Sequence, residues 1–390
     1  MELSREAYQL IVRHVGNRSD LCSLARVSKA FQRAAEPSLY NTLLIRDPRQ
    51  TVKLCAVLSS QDRLAVLVEA LTVYALARTD GDDDEEDDRE KGSEEDNTWL
   101  PEDFWDSLAA ALRHMSHLRF FNIHIDGEST QAWILRGCNF QLSAFHSDLA
   151  WDSDLVGFLN SQSVLMDLYL ADYTANLPGL RQGEEAREDN ALQTPTTPTI
   201  HPHSLSTLSA IECSFTDAMA ALVPGRPVTR IKTCFSREDT SGKTTELSQL
   251  VAALQRSTGR LRALDLADSS YTEEFSLVVL REIVPRLPDL RYLGTLVLPI
   301  GLEVRRLQFF GLLMRLRSLH TVEVEVSDWE PVPSPQALRA LASEFRLYCP
   351  SVKCFVFVQD FERTVVRVIN GFCAVDLDAT TENLWREVAD

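Results

Sequence analysis

Leu261-Arg262-Ala263-Leu264-Asp265-Leu266 carries the reading that decides the fold: apolar residues stand at the first, fourth and sixth positions. The last two share one face of an extended strand, because successive side chains point to opposite sides. The same spacing, or a relaxed form of it, recurs at Leu118-x-x-Phe121-x-Ile123, Leu142-x-x-Phe145, Leu165-x-x-Leu168-x-Leu170 and Leu205-x-x-Leu208-x-x-Ile211. It returns at Val228-x-x-Ile231, Leu290-x-x-Leu293, Leu319-x-x-Val322-x-Val324 and Val352-x-x-Phe355-x-Phe357. Successive starts lie 24, 23, 40, 23, 33, 29, 29 and 33 residues apart, mostly at or near the length of a unit made of one strand and one returning segment.

Helical stripes fill several of these intervals. Pro101-Glu102-Asp103 opens one, with Phe104, Leu108, Leu112 and Met115 as its buried side, and Ser334-Pro335 opens another, backed by Leu338, Leu341 and Phe345. Leu247, Leu250 and Leu254 mark a third helix, and Leu277, Leu280 and Ile283 a fourth. Alternating strand and helix is an α/β pattern. A doubly wound open sheet also alternates, but no glycine-rich phosphate loop follows any strand, and here the strand motif itself repeats. The expected architecture is an α/β solenoid of irregular leucine-rich-repeat type spanning residues 98–390. The strands lack the Asn that usually follows the third apolar residue.

The first 45 residues have a different texture. Leu3, Ala7, Ile11 and Val15 recur every four residues as one face of a short helix, with Ser4 before it as N-cap. After Gly16-Asn17-Arg18-Ser19, Asp20 is placed to cap a second helix carrying Leu21, Leu24 and Val27, which leads into Ser28-Lys29-Ala30-Phe31. A third stretch holds Ala34, Ala35, Pro37, Leu39 and Tyr40. Three helices this short expose apolar surface that must meet the rest of the chain or a partner.

The order of these residues, above all Val27-Ser28-Lys29-Ala30-Phe31 followed by Pro37-Ser38-Leu39-Tyr40, resembles an F-box of the fungal type. Ser4 and Ala7 stand where that family usually has Pro and a large aliphatic residue. The resemblance implies that residues 1–45 dock on the adaptor subunit of a cullin-RING (SCF-type) ubiquitin ligase through Leu3, Ile11, Val15, Leu21, Leu24, Val27, Phe31, Pro37 and Leu39. It agrees with the repeat pattern, since F-boxes are often followed by irregular leucine-rich repeats. The implied function is that of a substrate receptor in protein degradation. The competing reading is a non-catalytic repeat scaffold without a ligase, with a hydrolase a distant third.

Residues 46–77 are expected to link the helices to the first solenoid elements. The formal charge is -18, of which residues 80–96 supply -10 through twelve acidic residues against Arg89 and Lys91, so -8 is spread over everything else. The segment 78–97 is therefore expected to be a disordered acidic loop, and residues 181–204 a mobile insert, with Thr-Pro steps at Thr194 and Thr197 open to phosphorylation. An acidic chain repels phosphate backbones and anionic membranes, so neither nucleic acid nor membrane is an expected partner. No uncharged apolar run approaches 18 residues, and Glu2, Arg5 and Glu6 leave no signal-peptide core, so a cytoplasmic or nuclear location is expected.

Catalytic chemistry finds little support. The eight Cys are scattered and include neither a disulfide framework nor a zinc signature. Gly242-Lys243-Thr244 lacks the upstream glycine of a phosphate loop, and His114 and His117 are better read as residues at a helix end. His201 and His203 fall in the Pro-rich insert, and no Gly-x-Ser-x-Gly elbow occurs. The expectation is no enzyme, no cofactor and no metal. Strand alternation instead nominates Asn122, Asp167, Tyr169, Arg230, Lys232, Asp265, Tyr292 and Glu323 as a face for a protein target.

Overall fold

The computed structural model describes residues 3–75, 100–125, 130–171, 199–268, 272–300 and 304–388. The acidic segment 78–97 and the Thr194 and Thr197 steps lie outside the described residues. The chain forms two compact units, which part between Leu165 and Met166.

The first unit begins with three helices, α1 (Arg5–Arg13), α2 (Arg18–Val27) and α3 (Lys29–Tyr40). Ser4 caps α1 as read from the sequence, its hydroxyl accepting from the Ala7 amide. Asp20 does not cap α2: Asn17 does, accepting from the Ser19 amide at 2.9 Å, so Asp20 lies inside the helix. Ser28 ends α2 and caps α3 by accepting from the Phe31 amide, which places Val27 and Phe31 on different helices. The core of the three helices is Val12, Leu21 and Ala35, with Val15, Phe31 and Leu39 packed against it. Tyr8 meets Phe31 edge-on at 4.7 Å between ring centroids.

The sheet starts earlier than the motif did. β1 (Thr42–Ile45) follows α3 directly, then α4 (Pro48–Ser60), α5 (Asp62–Ala65), β2 (Ala70–Ala75), α6 (Phe104–His114), β3 (Phe120–Ile125), a 3-10 turn, β4 (Ala144–Ser147) and α7 (Ser153–Ser161). The four strands pair in parallel, and their register aligns Leu43, Leu71, Phe121 and Phe145 in one buried row. Residues 42–45 thus belong to the sheet rather than to the helical segment. Glu36 of α3 is buried and ion-paired to Arg63 of α5, which fastens the helices to the sheet unit.

The second unit contains β5 (Asp167–Leu170), β6 (Ala210–Cys213), α8 (Asp217–Leu222), β7 (Arg230–Cys234), α9 (Thr240–Leu254), β8 (Ala263–Ala267) and α10 (Glu273–Ile283). It continues through β9 (Tyr292–Val297), α11 (Val304–Leu313), β10 (Thr321–Glu325), α12 (Pro335–Tyr348) and β11 (Cys354–Gln359). These strands are parallel and lie in chain order, with Leu168, Ile211, Ile231, Leu264, Leu293, Val322 and Phe355 in one fully buried row. Among the described residues neither ladder reverses its strand order, so neither shows the crevice at which doubly wound sheets bind ligands.

The parallel pattern stops at β11. β12 (Glu362–Ile369) and β13 (Phe372–Asp376) add two antiparallel strands. A second departure is at residues 201–204, inside the segment expected to be mobile. Buried Arg226 donates to the carbonyls of His201 and Ser204, both at 2.9 Å, and to those of Ala221, Leu222 and Pro224. That end of the insert is pinned.

Candidate functional site

Two surfaces carry the residues nominated from the sequence. On the first unit, α1 buries Val12 at 3% exposure, whereas Leu3, Leu10 and Ile11 remain 49%, 58% and 38% exposed. Positions 7, 10 and 11 share a helical face, so Ala7, Leu10 and Ile11 form a short apolar stripe outside the three-helix core, and Leu3 is exposed in the extended chain before the Ser4 N-cap. Val27, at the end of α2, is 69% exposed. The nine residues nominated for docking therefore divide. Leu21 is core, Val15, Phe31 and Leu39 pack on it, Leu24 is half-buried, and Leu3, Ile11, Val27 and Pro37 are exposed. Leu10 was missed, although its place three residues after Ala7 was the available signal.

On the second unit, the face opposite the apolar row presents two further rows across the strands. One reads Asp167, Ala210, Arg230, Ala263, Tyr292, and the other Tyr169, Glu212, Lys232, Asp265, Gly294. The nominated residues of this unit, as alternation requires, stand opposite the apolar row. Their surroundings differ from expectation, because residues 379–388, after β13, return over this face.

Trp385 is 1% exposed and packs on Ala210, Ala263 and Tyr292. The two alanines flank Arg230 in the row, so the absence of longer side chains at those positions leaves a notch that the indole fills. Arg386 donates through Nε to Asp167 at 3.1 Å and pairs through Nη2 with Glu212 at 2.8 Å, while its guanidinium lies 4.3 Å from the Trp385 ring centroid. Arg230 donates to the Val388 carbonyl at 2.8 Å, and Lys232 pairs with Glu212 at 3.0 Å. Asp167 and Arg230, expected to be open to a target, are thus engaged by the chain itself.

Asp265, Tyr292 and Glu323 were also expected to be exposed and instead are 5%, 1% and 2% exposed. The register between β9 and β10 shifts between Val322 and Val324, and this bulge places both Gly294 and Thr295 opposite Glu323. Tyr292 donates its hydroxyl to Glu323 at 2.8 Å, and Arg363 of β12 donates to the same carboxylate at 3.2 Å. Gly294 leaves the room this cluster needs: a Cβ there would stand 2.9 Å from Asp265 Oδ1 and 3.0 Å from the Tyr292 hydroxyl. Burial first, and then the Glu323 charge, push the Asp265 carboxyl up to about 7. Such a cluster stabilises or titrates; it does not offer an open charged surface. Asn122, on β3, is half-buried in the first unit and is no part of this group.

Lys243 is buried in α9, ion-paired to Asp268 and 5.5 Å from the Phe275 ring centroid, and His114 at the end of α6 pairs with Asp62 at 2.6 Å. The eight cysteines are free thiols. Among the described residues, no group of three or more His, Cys, Asp or Glu is arranged to hold a metal ion, and no helix is long and apolar enough to cross a membrane. Compared with known proteins, the chain matches no family model and no curated protein sequence.

Proposed function

We propose that the chain is a substrate receptor of a cullin-RING ubiquitin ligase. The three N-terminal helices dock on the adaptor subunit, and a leucine-rich-repeat-like solenoid takes the target. The observation that carries this reading is the exposed apolar pair Leu10 and Ile11 on a helix that already fills a core with Val12, together with the exposed Leu3 just before its N-cap. A helix that only capped the sheet would turn its apolar residues inward. The F-box resemblance of residues 1–45 supplies the partner for that stripe. Parallel strands added in chain order, with helices between them, support a solenoid for the rest. Ubiquitin transfer itself belongs to the partner subunits in this reading.

Copurification tests it: tagged full-length chain should retain adaptor and cullin, and the double variant Leu10→Asp, Ile11→Asp should lose both. A chain that folds yet never retains the adaptor leaves the repeat-scaffold reading in its place.

A further inference from the structure

Residues 379–388 occupy the face on which a target was expected. We propose that this segment is a displaceable strap, and that the protein target bears an aromatic residue followed directly by an arginine or lysine, which take the places of Trp385 and Arg386. The inference rests on the receptor reading above and specifies the ligand class of its sheet face.

The face is built for that pair of side chains. Ala210 and Ala263 make the notch, Tyr292 forms its wall, and Asp167 and Glu212 converge on one guanidinium beside it. Among the described residues the Trp385 indole N–H is buried without an acceptor, so the notch reads an aromatic ring by shape rather than by hydrogen bonding. Phe or Tyr therefore fits the same demand. The acidic pair reads positive charge, and a basic residue immediately after the ring is also the one that stacks on it.

The strap is held by side chains and not by the sheet's ladder. Among the described residues, its backbone bonds from the Arg386 and Glu387 amides both end on the Asn383 carbonyl, inside the segment itself. Leu384 and Ala379 add apolar contact against Cys354, Val356 and Val365 of the neighbouring strands. A short linear motif anchored by one ring and one cation is the chemistry by which peptides are recognised, and the same anchors can be supplied from another chain. Covalent attachment gives the strap an effective concentration in the millimolar range. A target must exceed that threshold, so the strap excludes weak aromatic-basic sequences.

The probe is a fluorescein-labelled peptide with the sequence of residues 377–388, tested against the full chain and the variant Arg386→Glu, which sets a third carboxylate beside Asp167 and Glu212. Hydrogen exchange should show residues 379–388 released in the variant, and the peptide should bind it at least tenfold more tightly than it binds the wild type. Replacing the peptide's Trp by Ala, or its Arg by Glu, should cost at least tenfold, whereas Phe or Tyr for Trp and Lys for Arg should retain binding. On the wild type, saturating peptide should accelerate exchange of residues 379–388, which tests displacement without any substitution. Unchanged protection of the strap in both experiments, or a released face that ignores the peptide, overturns the proposal. Adaptor binding is measured on the same samples: its failure with intact peptide binding would sink the ligase reading and leave the docking face standing.

Discussion

Asp265 and Glu323 reach for one hydroxyl: Thr295 Oγ1 lies 3.4 Å from the first carboxylate and 3.1 Å from the second. A single hydroxyl proton cannot satisfy both, and burial beside Glu323 raises the Asp265 carboxyl to about 7. In the unfolded chain the same group titrates near ~3.9. Between these values the folded form holds a proton that the unfolded form has lost, so stability falls as pH rises through that window and the penalty is complete above about 7. Asp265→Asn removes this titration. Urea midpoints at pH 5 and pH 8 should show the variant gaining about 2–4 kcal/mol on the wild type at the higher pH. Parallel pH profiles for the two proteins would contradict the assignment.

The exposed stripe on α1 makes docking separable from folding. Leu10→Asp with Ile11→Asp places charge where solvent already reaches, so the melting temperature should stay within a few degrees. Adaptor affinity should fall more than about 30-fold, the loss typical of interface anchors of ~2 kcal/mol or more. Val12→Asp should behave differently, because it buries a charge in the Val12, Leu21, Ala35 core and should unfold the helices together with docking. Phe31→Asp belongs with Val12→Asp, since Phe31 packs against Tyr8 and that core. Circular dichroism and adaptor pull-down, run on the same three proteins, separate the two outcomes.

Much of the sheet was legible because parallel strands buried on one side impose a simple apolar spacing. The nine motifs coincide with β3 to β11, and the helix capped by Ser334 begins at Pro335 as read. By contrast, α6 begins only at Phe104, so Pro101, Glu102 and Asp103 precede it instead of forming its first turn, and Asp103 makes no capping bond. β12 and β13 carried a signal of another kind, the pair Asn370-Gly371, whose φ angles of 51° and 85° suit a two-residue hairpin turn. What alternation could not deliver was burial. Asp265, Tyr292 and Glu323 point to the expected side, but residues distant in sequence cover them. Trp385 sits in a polar stretch with no periodicity, and its only local hint was the two alanines at outward strand positions, Ala210 and Ala263. The apolar repeat of α1 was legible, yet its inward side is set by Val12 rather than by the Leu3, Ala7, Ile11, Val15 line.

Lys243 and Asp268 form an ion pair with side-chain exposures of 4% and 2%. Taking away Lys243 removes the cation that faces a buried carboxylate. Lys243→Met should therefore cost about 3–5 kcal/mol of stability, far more than a surface pair would. Adding Asp268→Leu to that variant removes the buried carboxylate and should recover a large part of the loss. Denaturation of the two single variants and the double gives the coupling directly. Equal losses for Lys243→Met and the double variant would show that packing against Phe275, and not charge, explains the cost.

Arg226 decides whether residues 201–204 are loose chain or part of the core. Its guanidinium is buried at 2% exposure and satisfies five backbone carbonyls, three after α8 begins and two in the turn at His201 and Ser204. Arg226→Met keeps most of the apolar volume while withdrawing every guanidinium donor, so the buried Leu222 carbonyl and the half-buried carbonyls of Ala221 and Ser204 lose their bond to it. The expected loss is about 2–4 kcal/mol, with new protease cleavage at residues 199–204. Arg226→Lys should rescue only part, because an ammonium has three donors at one point and cannot span a set of carbonyls that the planar fork reaches from both sides. Limited proteolysis with mass readout and urea midpoints on the three proteins check this ordering. If Arg226→Met left both the cleavage pattern and the midpoint unchanged, the contacts to His201 and Ser204 would hold nothing, and the expectation of a mobile insert would extend through residue 204.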